Sequence, residues 1–275
     1  MNGLRRKIVG LALSGGAARG PAHLGVLRVL EREGIPIDVV AGTSAGSVAG
    51  ALYCAGVSLD DMFKALTDFS WRKIASLTLP RHGLVSFEKL EKFIIAWIGD
   101  LWFSELKKPF AVGTTDLLSG RPITFSTGRV APLVRASCSI PGLVVPLEYG
   151  GYWLVDGGIS CNLPTQAARE LGAEVVIGVD LLKPYVRKNF GALGIASTAL
   201  EIALRHSGGG VQSADLVIAP ALDNKTYTRF RRAQEMVALG EQAAEQMLPV
   251  LRAALDDVAS PALVAPSGIG EMAGK

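Results

Sequence analysis

The sequence predicts an α/β fold with a largely parallel central sheet. Apolar runs rich in β-branched residues and leucine alternate with stretches of helical spacing, the order expected of βαβ units. Two glycine clusters, Ser14-Gly15-Gly16-Ala17-Ala18-Arg19-Gly20 and Gly42-Thr43-Ser44-Ala45-Gly46, each stand where a strand gives way to a helix. Hydrophobic residues make up 49% of the 275 positions and charged residues 19%, enough apolar side chain for a substantial core. No internal repeat is visible.

Each element follows from local pattern. Residues 7–13 read as a first strand, and residues 21–33 as a helix with Leu24, Leu27 and Leu30 on one face and Gly34 as its stop. Residues 37–41 read as a second buried strand, leading through the Ser44 bend into a helix that begins near Ser47 and is closed by Gly56. Ser58-Leu59-Asp60-Asp61 has the form of a capping box opening the next helix. Residues 69–102 hold Trp71, Trp97 and Trp102 around a helical stretch at 87–98, and are expected to form a helical insertion over one edge of the core. Aromatics there serve packing, or a cap that meets an acyl chain. Strand pairs are expected at 109–115 with 121–126, and at 144–147 with 152–155. A helix at 164–171, strands at 174–179 and 215–219, and a long helix at 229–257 complete the core, with Pro249 expected to kink or end the last helix. Residues 7–257 are read as one domain, and 258–275, rich in Ala, Pro and Gly, as a disordered tail.

Composition excludes several classes. A net charge of +3 and no long basic run with interleaved aromatics argue against nucleic acid, since Arg5, Arg6 and Lys7 only flank the first strand. Cys54, Cys138 and Cys161 form no C-x-x-C pair and are odd in number, as expected of reduced thiols in a cytosolic protein. His23, His82 and His206 are not spaced for metal ligation, so neither a metal nor another cofactor is expected. The start of the chain shows no apolar segment with a small-residue cleavage site. Residues 39–59 carry no charge and are long enough to span a bilayer, but their glycines, serines and threonine suit a strand, a bend and a buried helix better.

The chemistry concentrates at the two glycine clusters. Ser44 lies on a strand-to-helix turn at the positive end of a helix, its hydroxyl exposed and its flanks Gly42, Thr43, Ala45 and Gly46 mostly free of bulk. The first cluster resembles a dinucleotide-binding loop, but Ala17 replaces its third glycine position and no acidic residue ends the second strand. What remains is a set of backbone N–H groups at a helix start, suited to a developing oxyanion. Gly15, Gly16, Ala17, Ala18, Arg19 and Gly20 are its candidates, with the Ala45 N–H as an extra donor. Arg19 either holds the loop or meets an anionic head group.

A serine nucleophile needs a base. His206 stands where a triad histidine would, but its place at a helix end suits a surface or capping role. Asp156 is the better candidate, because the apolar strand Tyr152-Trp153-Leu154-Val155 delivers it to a Gly157-Gly158 turn that permits close backbone approach. Apolar surroundings raise a carboxylate's pKa and make it a more effective proton acceptor. An ordinary Asp-Gly turn is the plainer alternative.

Together, Gly15-Gly16-Ala17-Ala18-Arg19-Gly20, Gly42-Thr43-Ser44-Ala45-Gly46 and Asp156-Gly157-Gly158 resemble the motifs of the patatin-like phospholipase family, in order and spacing. Ala136-Ser137-Cys138-Ser139-Ile140-Pro141-Gly142 and Asn162-Leu163-Pro164 are similar to segments of its small bacterial members. The likeness covers roughly residues 11–171, with Ala17 as a departure where many members have glycine. It implies a patatin-like three-layer sandwich and a serine acyl hydrolase that cleaves fatty-acyl esters of phospholipids or lysophospholipids with a Ser44–Asp156 dyad. A carboxylesterase or thioesterase on the same dyad, or a lipid-sensing protein with little turnover, are the alternatives. The expected location is cytoplasmic, with peripheral contact to the inner face of the membrane through apolar loops near the Trp-rich segment. Sequence leaves the oligomeric state open.

Overall fold

β1 (Val9–Leu13) is apolar from end to end and leads through a short 3-10 turn at Ala17–Arg19 into α1 (Pro21–Arg32). Pro21 opens α1, where its missing N–H would find no helical partner in any case. In this computed structural model the described residues are 6–79, 82–182, 191–222 and 232–256. The expected tail at 258–275 and the first residues of the long C-terminal helix, 229–231, lie outside them.

β2 (Val39–Thr43) hands Ser44 to the start of α2 (Ala45–Cys54), so the uncharged stretch from Val39 onward divides into strand, bend and helix. No helix among the described residues is long and apolar enough to cross a membrane. Ser58 caps α3 (Leu59–Thr67), its Oγ accepting the Asp61 N–H at 3.1 Å. The expected insertion comprises α4 (Trp71–Ile74), the hairpin of β3 (Ser76–Leu77) and β4 (Val85–Ser86), and α5 (Glu88–Ile98). It packs against α2 and the later α6 (Val130–Ser137). Phe69 stands edge-on to Phe93, and the Trp71 and Phe87 rings lie 6.2 Å apart.

β5 (Phe110–Asp116) and β6 (Pro122–Phe125) form the expected antiparallel pair. β7 (Leu147–Tyr149) pairs with β8 (Tyr152–Asp156) slightly later than expected, because Val144 is drawn instead into a bridge with Val85 of the hairpin. α7 (Thr165–Glu170), β9 (Val175–Val179), α8 (Ala192–His206), α9 (Gly210–Ser213), β10 (Leu216–Ile218) and α10 (Ala233–Asp256) follow. Pro249 does not end α10. A proline there forfeits one backbone bond, and burial beyond it, with Leu251 fully enclosed, holds the helix together.

The main sheet has eight strands in the order β10-β9-β1-β2-β5-β8-β7, with β6 on the free edge of β5. Pairings from β10 through β5 are parallel, and those of β6, β7 and β8 are antiparallel. Side-chain alternation sorts the two faces. Val9, Leu11, Leu13 and Val40 enter the larger core beneath α1, α2 and α10, while Ala12, Val39 and Ala41 meet Leu163, Ala167 and Ala168 around α7. Helices therefore cover both faces of a mostly parallel sheet, a three-layer α/β sandwich. α10 approaches α1 so closely that a Cβ on Gly25 would lie 2.0 Å from the Val237 carbonyl oxygen.

One edge of β5 positions the site. β2 pairs along it up to Thr43 opposite Gly113, and β8 arrives from the other direction to place Asp156 opposite Thr114. Two strand ends thus meet at neighbouring residues of β5.

Candidate active site

Ser44 adopts φ 50° and ψ −121°, a strained conformation for a residue with a Cβ. Ala17 and Ser44 have the only positive φ values of non-glycine residues among the described ones, so strain of this kind is confined to the two glycine clusters. The flanks explain how the bend is tolerated. A Cβ on Gly42 would stand 2.5 Å from the Gly46 carbonyl oxygen, and one on Gly46 would stand 2.2 Å from that of Leu13. From the bend, Ser44 Oγ donates a 2.7 Å hydrogen bond to Asp156 Oδ2.

Asp156 is held on all sides. Its Oδ1 accepts the Gly158 N–H at 2.8 Å, its N–H donates to the Ser139 carbonyl at 2.8 Å, and its carbonyl accepts from Thr115 Oγ1 at 3.0 Å. Burial of the carboxyl pushes its pKa up to about 6, against the opposing effect of hydrogen bonds from Ser44 and Gly158. Gly157 is pressed against β5, where a Cβ would fall 2.3 Å from the Gly113 carbonyl oxygen.

Ser137 entered the sequence reading only within the 136–142 segment similar to small family members, with no role of its own. Its Oγ accepts the Ser44 N–H at 2.7 Å and donates to the Gly113 carbonyl at 2.6 Å, tying the bend to the strand junction. A serine at the end of α6 carries no local signature of such a role.

The first glycine cluster faces Ser44, but not all of its N–H groups are free. The N–H of Gly15 donates to the Asn162 carbonyl, that of Arg19 to Gly16 and that of Gly20 to Ala17. Turn formation and docking on the loop after β8 consume those three donors. The N–H groups of Gly16, Ala17, Ala18 and Ala45 have no acceptor among the described residues. The set expected from sequence therefore narrows to these four. Arg19 is buried, and its Nη1 donates to the Leu181 carbonyl at 3.0 Å, so it holds the loop. His23 Nε2 meets the Ser14 carbonyl at 2.9 Å, and burial lowers its pKa to about 4, which keeps the ring neutral.

His206 is exposed at the end of α8 and makes no hydrogen bond to Ser44 or Asp156. Cys54 and Cys138 are buried free thiols and Cys161 is partly buried. Cys138 lies beside Ser44, and burial raises its pKa. No three His, Cys, Asp or Glu side chains gather as a metal site among the described residues.

Two cavities meet at Ser44. One runs beneath the insertion and is lined by apolar groups including Val48, Leu66, Phe69, Trp71, Phe87 and Leu90. The second lies on the Asp156 side and is bounded by Gly15, Gly158, Ile159, Asn162 and Leu204. A serine hydroxyl on a strained bend bonded to a buried carboxylate, free N–H groups opposite and an apolar slot alongside suit acyl transfer.

Residues 11–169 match the family model described as patatin-like phospholipase. Lysophospholipase nte1 of Aspergillus fumigatus is 37% identical over 181 residues, covering 64% of this chain and 12% of the fungal protein. Lysophospholipase NTE1 of Coccidioides immitis has the same identity and coverage. The chain thus spans about an eighth of the length of these relatives. VipD from Legionella pneumophila superposes with a TM-score of 0.55 at 16% identity, over 90% of this chain and 67% of VipD. The type III effector ExoU of Pseudomonas aeruginosa gives 0.50 at 15% identity, over 90% and 53%. Those two likenesses concern the fold, whereas the family match reaches through both glycine clusters and the Asp156 turn. By that match, this chain belongs to the patatin-like phospholipase family.

Proposed function

We propose that the protein hydrolyses fatty-acyl esters of phospholipids or lysophospholipids through a Ser44–Asp156 dyad within one domain spanning residues 7–257. The observation that carries this is the 2.7 Å bond from Ser44 Oγ to the buried Asp156 carboxylate at the mouth of an apolar cavity. Ser44 Oγ forms a bond to the ester carbonyl carbon while its proton passes to Asp156. The carbonyl electron pair moves onto oxygen, where the N–H groups of Gly16, Ala17, Ala18 and Ala45 receive it. Collapse breaks the carbon–oxygen bond to the alcohol, which leaves with the proton from Asp156. Water then gives a proton to Asp156 and its oxygen to the acyl carbon. The Ser44–acyl bond breaks, Oγ recovers the proton and the fatty acid departs.

The apolar cavity under the insertion favours a long acyl chain, because a short ester would leave most of its lining uncovered. Leu77, Leu79 and Leu84 of the hairpin region are exposed and offer an apolar edge for peripheral contact with a lipid surface, the setting in which such substrates occur. Fatty-acid release from lysophospholipid vesicles, with fluorophosphonate labelling of Ser44, tests the proposal. Ser44→Ala is expected to abolish both, and a variant with full release would overturn it.

A further inference from the structure

The second cavity at Ser44 holds a polar group that the dyad does not use. Asn162 is only 3% exposed, yet its side-chain amide makes no hydrogen bond among the described residues. Its main chain, by contrast, is fixed at both ends: its N–H donates to Ser207 Oγ at 3.0 Å, and its carbonyl accepts the Gly15 N–H at 3.3 Å. The amide's polar atoms are not sealed in the protein but reach the cavity that Asn162 lines, and are free to take their partners from it.

Its position can be triangulated. A Cβ built on Gly15 would lie 2.6 Å from Asn162 Oδ1 and 3.2 Å from Ser44 Cβ. One built on Gly158 would lie 3.1 Å from Asn162 Oδ1 and 3.0 Å from Asp156 Oδ1. The amide therefore sits beside both members of the dyad, on the side away from the apolar cavity under the insertion. With the acyl chain in that first cavity, the alcohol oxygen departs towards the second, and water approaches the acyl carbon from the same side. An amide offers a donor and an acceptor from one rigid group, and can turn about its Cβ–Cγ bond to present either.

We infer that the Asn162 side chain binds the leaving oxygen of the ester and then holds the hydrolytic water against the Ser44-bound acyl group. This rests on the hydrolase reading above. In deacylation the water hydrogen-bonds to the amide while one of its protons passes to Asp156 and its oxygen attacks the acyl carbon. Asn162 exchanges no proton, and its contribution is alignment.

A p-nitrophenyl ester of a long-chain fatty acid separates the steps, because its leaving group departs without a proton and acylation needs no help at that oxygen. Asn162→Ala is expected to keep the initial burst and the rate of fluorophosphonate labelling. Its steady-state turnover is expected to fall roughly 100-fold, the scale of losing one aligned donor. Acyl–Ser44 is then expected to accumulate, visible as a mass shift of the intact protein. Should alanine loosen the Gly15 loop and unfold the protein, the isosteric Asn162→Asp removes the N–H donors and is expected to show the same accumulation. Unchanged turnover, or burst and steady state falling together without acyl-enzyme, overturns the inference. Absence of both p-nitrophenol release and fluorophosphonate labelling of Ser44 in the parent protein would instead refute the hydrolase reading.

Discussion

Ser44 and Asp156 lie 112 positions apart in the chain, yet Ser44 Oγ donates to Asp156 Oδ2 over 2.7 Å. They meet because β2 and β8 run in opposite directions along the same edge of β5 and stop at its adjacent residues Gly113 and Thr114. A carboxylate delivered to that junction is largely withdrawn from solvent, which raises its proton affinity.

That affinity sets the acid limb of activity. With Asp156 raised to about 6 by burial, kcat/KM on a soluble ester is expected to decline as pH falls through about 6. A pH–rate profile of the free enzyme checks this. A limb near 4, the ordinary carboxylate range, would show that Asp156 is not the titrating base.

The same shift carries a stability cost. Folded Asp156 holds its proton up to about pH 6, whereas an unfolded aspartate releases it near 3.9. The stability this group contributes is therefore fully present below about pH 3.9 and is lost as pH rises through about 6. Asp156→Asn cannot ionise and is expected to gain on the order of 1–3 kcal/mol over the parent at pH 8 but little at pH 4, while losing roughly 10³-fold or more in turnover. Thermal unfolding of both proteins at the two pH values measures it. A gain independent of pH would exclude the mechanism.

Ser137→Ala removes the group between Ser44 N–H and the Gly113 carbonyl. The Ser44 N–H then lacks its acceptor, at about 1–3 kcal/mol, and the Ser44 bend loses its tether. The unfolding midpoint and kcat are both expected to drop, with KM little changed. A fall in stability alone would separate the tether from the chemistry.

Val48 lines the cavity under the insertion and is 4% exposed. Val48→Phe fills the space next to Ser44. Rates on long-chain p-nitrophenyl esters are expected to drop about tenfold or more, while acetate and butyrate esters keep theirs, since each blocked methylene forfeits roughly 0.8 kcal/mol of burial. Equal losses on all chain lengths would place the acyl group elsewhere.

Much of the fold was legible because its signals are local. The alternation of strands and helices, the capping serine at Ser58 and the hairpin between β5 and β6 all follow from periodicity and turn chemistry within short windows. α6 was missed because eight residues interrupted by Pro132 do not show a sustained helical period. The early end that Pro249 could have imposed does not occur, for the opposite reason: the proline's local effect is real, and tertiary burial of Leu251 holds the helix past it. The loop donors show the same division. Glycine spacing marks Gly15 to Gly20 as a candidate anion-binding loop, but only the docking of Asn162 reveals that the Gly15 N–H is already taken.

By itself, the sequence determined the α/β class, the family and the strand-to-helix bend that carries Ser44, since each is written in residues close together in the chain. Tertiary structure alone decided that β8 ends where β2 ends, that Ser137 braces the bend and that Asn162 is buried beside the dyad without a protein partner. Those facts depend on which distant segments exclude water from one another. Desolvation and hydrogen-bond pairing are properties of the packed assembly, so no window of sequence contains them.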